Sequence, residues 1–160
     1  MHAERTQHSL EELLAQEVQC TGRLLECLEA ERSALTRRDL ELLENTTRSK
    51  LRYTRRLEEL EQRREILMTE LNLASAPDTL PDCFRGLPQA DRLADLWQQV
   101  LDNTRACQTG NLTNGGILET SRQHVEQALS ILRGQSGSPA LYDPSGDASA
   151  NLGQRELGKV

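Results

Sequence analysis

From Arg23 to Ala76 the chain contains neither Gly nor Pro, and through most of that stretch its apolar residues recur three and four positions apart. This spacing is the period of a helix with one buried face. It leaves little room for strands, which need alternation and turn residues at short intervals. Only four aromatic residues occur, Tyr53, Phe84, Trp97 and Tyr142. A layered α/β core normally relies on more aromatic and β-branched bulk. A Leu-rich, Glu- and Arg-rich chain buries its area along narrow seams between long helices instead. The expected fold class is all-α: three long helices in an antiparallel coiled-coil-like bundle, followed by a disordered C-terminal tail.

The first helix is expected over about 9–35. Ser9 and Glu12 read as a capping box, and the apolar stripe runs Leu10, Leu14, Val18, Leu25, Leu28, Leu35. Thr36, with Asp39 three residues on, is the candidate cap of a second helix over about 37–74. Its seam is Tyr53, Leu57, Leu60, Leu67, Leu71, interrupted at Arg64. The two seams are out of phase, which favours a tight turn near 36 over one continuous helix. Pro77, Pro81 and Pro88 mark a connection over 75–88, because Pro cannot continue helical hydrogen bonding. Leu80, Phe84 and Leu87 are placed to pin it across the end of the bundle.

The third helix is expected over about 89–133, although it contains Gly110-Asn111-Leu112-Thr113-Asn114-Gly115-Gly116. Read locally, that heptapeptide is turn chemistry. Yet a seam written forward from Leu93 passes through it without a slip: Trp97, Val100, Thr104, Cys107, Asn111, Asn114, Leu118, Ser121, Val125, Ala128, Leu132. A loop has no reason to preserve heptad phase, so one helix is expected. Asn111 and Asn114 then stand where Leu belongs. Register control is the plain reading of such residues; a point at which the helix loosens from its neighbours is the sharper one. On the second reading, replacing Asn114, Gly115 and Gly116 by Leu, Ala and Ala should raise thermal stability. Residues 1–133 would form the bundle and 134–160 the tail, which holds five of the ten glycines and one apolar island, Leu141-Tyr142, ahead of the turn residues Pro144 and Gly146.

No catalytic constellation emerges. The three histidines, His2, His8 and His124, are scattered, and no nucleophile, phosphate-loop or zinc signature occurs. No enzyme activity, cofactor or metal is expected. Cys20, Cys27, Cys83 and Cys107 lack metal-ligand spacing. The basic stretch 47–56 carries Arg48, Lys50, Arg52, Arg55 and Arg56 around Tyr53, but acidic segments flank it and the net charge is −6. That balance argues against nucleic acid, while leaving an acidic protein face as a partner for the stretch. No apolar run is long enough to cross a membrane, and no secretory signal opens the chain, so a cytoplasmic location is expected. Amphipathic helices of this kind close as a monomer or leave a seam for a homodimer.

The helix bearing Asn111, Asn114 and Gly115, with the tail element of Tyr142 and Gly146, resembles the FlgN family of flagellar export chaperones. The resemblance implies a binding function: escort of the hook–filament junction proteins FlgK and FlgL, held by their C-terminal helical region, to the export-gate protein FlhA. It implies cargo contacts on the third helix, for which Asn111, Asn114, Gly115, Leu118, Val125, Leu129 and Leu132 are the candidates. It implies gate docking through Tyr142, with Leu141, Pro144 and Gly146 around it. The alternative is a coiled-coil scaffold or adaptor with no secretion cargo, for which the helices alone would suffice.

Overall fold

The computed structural model describes residues 2–73 and 80–134, with side chains from His8 onward. Helices α1 (His2–Arg37), α2 (Leu40–Glu70), α3 (Leu80–Phe84) and α4 (Ala90–Leu132) follow in order, and no strand occurs among the described residues. The chain divides into two compact units, residues 1–120 and 121–160.

α1 begins well ahead of Ser9, so the expected capping box does not form. Ser9 lies inside the helix, where its amide is already part of the helical ladder. The turn into α2 also differs from expectation. Thr36 is not a cap; its hydroxyl donates to the Arg32 carbonyl at 2.8 Å. Instead Arg38 takes a left-handed conformation (φ 56), and the Asp39 amide reaches back to the Ala34 carbonyl at 3.0 Å. This is the geometry that closes a helix C-terminus when one residue turns left-handed. Asp39 then caps α2, its carboxylate accepting from the Leu42 amide at 3.0 Å. One acidic residue therefore closes α1 through its amide and opens α2 through its side chain, which makes the turn tight and α2 antiparallel to α1. α2 ends in the same way: Asn72 is left-handed (φ 54) and the Leu73 amide bonds the Met68 carbonyl.

The core of the first unit sits where the connection crosses the helices. Leu10 and Leu14 of α1, Met68 of α2, Leu80 and Phe84 of α3, and Leu93, Leu96, Trp97 and Val100 of α4 form one cluster, with Leu87 packed against it. The five-residue α3 thus plugs the end of the bundle with Leu80 and Phe84. A second cluster, Leu13, Cys20 and Leu60 with Tyr53, Leu57 and Leu67, zips α1 to α2. The buried stripe of α1 includes charged and polar positions that the apolar reading skipped, Glu17, Thr21 and Glu31. Arg64, the residue that interrupts the α2 seam, answers one of them. It grips the Glu17 carboxylate with one amino group at 2.6 and 2.8 Å and lies 4.8 Å from the centre of the Trp97 ring. A guanidinium held between a carboxylate and an indole ties all three long helices together.

Candidate functional site

α4 runs unbroken through Gly110–Gly116. A Gly in a helix interior is about 1 kcal/mol less favourable than Ala, so tertiary contacts must offset the weakness, and they are visible residue by residue. α4 runs parallel to α1, and beyond Val100 polar contacts join the two, with Leu28 of α1 packed at Gly110. The Asn103 amide donates to the Val18 carbonyl at 3.3 Å and to the Thr21 hydroxyl at 3.1 Å. The Cys107 thiol lies 3.6 Å from the Thr21 carbonyl. Gly110 is buried, and a β-carbon placed there would make ordinary van der Waals contact, 3.5 Å from Cβ of Leu28, so α1 packs directly over this position.

Asn114 ends this series and is the most connected residue in it. It is 3% exposed. Its amide nitrogen donates to the Leu28 carbonyl and to one Glu31 oxygen, both at 2.8 Å, and its oxygen accepts from Nε of Arg32 at 3.4 Å. The other Glu31 oxygen accepts from the Lys50 ammonium at 2.6 Å. An amide, a carboxylate and an ammonium from α4, α1 and α2 thus form one satisfied network. No buried side-chain nitrogen or oxygen among the described residues lacks a partner.

Asn111, expected on the same seam, is exposed, and Gly110 takes its place. The inner face at this level runs through Cys107, Gly110 and Asn114, because α1 packs Leu28 against the Gly110 backbone and takes the Asn114 amide onto the Leu28 carbonyl. Gly115 and Gly116 are exposed, and nothing lies within 4 Å of a β-carbon built on either. They are not sites of close approach.

Past Ile117, which is half-buried, the large apolar residues of α4 turn to solvent. Leu118, Val125, Leu129, Ile131 and Leu132 are all exposed, Val125 by 58% and Leu132 by 83%. Leu118, Val125, Leu129 and Leu132 are spaced seven, four and three apart, the interval of one helix face. Ile131 and Leu112, neither of them in the expected set, are exposed as well. The expected docking residues Leu141, Tyr142, Pro144 and Gly146 lie outside the described residues.

Burial pushes the Glu17 carboxyl above its ordinary value, against the pull of Arg64, and burial likewise raises the thiols of Cys20, Cys27 and Cys107. Among the described residues no group of three His, Cys, Asp or Glu side chains could hold a metal ion, and no helix is long and apolar enough to cross a membrane.

A long helix pinned by a buried Asn and then bare along an apolar face is the setting in which relatives are informative. The family described as FlgN protein matches residues 1–150. The chain belongs to the FlgN family. Two flagella synthesis proteins FlgN from Yersinia enterocolitica, one of them from serotype O:8, are 29% and 28% identical to it over 153 residues, covering 94% of this chain and 87% of each relative. No solved structure matches the chain. The FlgN match takes in α4 and also the segment that carries Leu141, Tyr142, Pro144 and Gly146.

Proposed function

We propose that this FlgN-family chain is a cytoplasmic flagellar export chaperone whose cargo is the C-terminal helical region of the hook–filament junction proteins FlgK and FlgL. The observation that carries the reading is the exposed stripe Leu118, Val125, Leu129, Leu132 on α4. An amphipathic cargo helix presents apolar residues at the same three- and four-residue intervals, and two such stripes bury each other side by side. Cargo self-association is suppressed while that face is covered. Asn111 and Gly115, both exposed just before the stripe, extend the contact, whereas Asn114 acts from inside by holding α4 against α1. Leu141, Tyr142, Pro144 and Gly146 then serve delivery to the export-gate protein FlhA, separately from the cargo face.

The test is calorimetric titration with peptides from the last ~40 residues of FlgK and FlgL, long enough to supply the groove-binding helix. Binding should be one to one with a negative heat-capacity change, the mark of buried apolar surface. In the variant Val125→Asp/Leu129→Asp, affinity should fall by at least about a hundredfold, since burying each aliphatic side chain contributes about 1.5–3 kcal/mol. Thermal stability should hold, because both side chains face solvent. Cargo binding that survives the double substitution would remove this face from the account.

A further inference from the structure

Independently of the cargo reading, α2 carries a second bare face. Leu40, Leu43, Thr47 and Leu51 lie three and four residues apart on one side of the helix, where Leu40 is 78% and Leu51 54% exposed. They line a shallow depression of about 420 Å³ together with Glu44 and Arg48. The surrounding charge is opposite to that of the chain. Residues 37–56 hold seven Arg and Lys against three Asp and Glu, in a protein of net charge −6. Nor is the positive charge spread evenly around α2. Lys50 is turned inward onto Glu31, whereas Arg48 and Arg55, seven residues apart, border the leucines on their outer edge. Among the described residues Arg48 meets only Glu44, in a pair that is exposed on both sides and therefore easily exchanged. Arg55 has no ion-pair partner among the described residues.

We propose that this face of α2 is a docking surface for an acidic amphipathic helix of another protein. Leucines of the partner would fill the strip from Leu40 to Leu51, and carboxylates along one edge of it would meet Arg48 and Arg55. A helix is the matching shape, because the strip is itself one helix face and extends about 16 Å at 1.5 Å per residue. A second copy of this chain is the poorer fit, since two such faces would bring like charges together.

The experiment uses the full chain and a fluorescent helical peptide of about 18 residues, five turns, with Leu at three- and four-residue intervals and Glu and Ala elsewhere. Binding is read by anisotropy against three controls: the same peptide with Lys for Glu, a single-stranded RNA, and phosphatidylserine vesicles. The expected result is saturable binding of the Glu peptide alone. It should weaken about tenfold or more, about 1.4 kcal/mol, in either Leu40→Ser/Leu51→Ser or Arg48→Glu/Arg55→Glu, and weaken further as salt rises. All four side chains are exposed, so circular dichroism should show both variants folded. Val125→Asp/Leu129→Asp, on the proposed cargo face, should bind the Glu peptide like the parent, which separates this proposal from that reading. Equal binding by the parent and the α2 variants, equal binding of the Lys peptide, or binding of RNA or vesicles in place of the peptide would overturn it.

Discussion

Asn114→Ala removes a side chain that bonds both the α1 backbone and the Lys50–Glu31 pair. Two donated bonds disappear: one to the Leu28 carbonyl and one to the Glu31 carboxylate. A neutral bond of this kind contributes about 1 kcal/mol and one to a charged group about 1.5–3 kcal/mol. Ala is the better helix former, which returns about 0.7 kcal/mol at most. The net destabilisation is then about 2–3 kcal/mol. At about 3–5 °C per kcal/mol for a folded unit of this size, Tm should fall by roughly 6–15 °C. The assay is thermal unfolding followed by circular dichroism, for Asn114→Ala, Glu31→Ala and the double variant. Because the two side chains share a bond, the cycle should give a coupling of about 1–3 kcal/mol. A Tm equal to the parent's, or additive single effects, would refute the claim that this network fastens α4.

Two neighbouring predictions use the same measurements. Gly115→Ala/Gly116→Ala places methyl groups where nothing stands within 4 Å, so stability should rise by up to about 2 kcal/mol; a fall in Tm would mean that the two positions are not open in solution. Glu17 titrates above the ordinary carboxylate value because burial outweighs Arg64, so the folded state holds this proton more tightly than the unfolded chain does. The stabilisation is present at pH values below the unfolded pKa and is lost as pH rises through the higher folded value. Denaturation midpoints of the parent should therefore decline relative to Glu17→Gln as pH rises above about 4.5. A gap that moves in the parent's favour instead would show that pairing with Arg64 dominates.

The long helix α4 was legible because its apolar residues keep phase on both sides of Gly110–Gly116, and phase is a property of the whole segment that a local turn signal cannot override. The position of Asn111 was not, since the apolar pattern does not mark Gly110 as the residue that Leu28 of α1 packs against. Ser9 and Thr36 show a second limit. Both match a cap pattern, but a cap forms only where the chain leaves the helix, and at the hairpin Asp39 offers an amide and a carboxylate to the two helices it joins. Asn114 stood out as an amide on a seam, yet its partner Glu31, and Lys50 paired behind it, carry no mark in the sequence. They lie 83 and 64 positions earlier and look like ordinary surface charges. Replacing Asn114 by Leu within a Leu-Ala-Ala triple, expected from the sequence to stabilise, therefore mixes two stabilising changes with one that strips Glu31 of a partner. The exposed stripe could be named residue by residue, but that it already stands open required the structure.

The most direct test of the account is hydrogen–deuterium exchange of the full chain with and without the FlgK or FlgL C-terminal peptide. The account predicts that cargo slows exchange across 117–133, where the apolar face is bare, and leaves 103–114 as protected as before, because Asn103, Cys107 and Asn114 keep their bonds to α1. Faster exchange across 103–114 on binding, or new protection confined to α1 and α2, would contradict it.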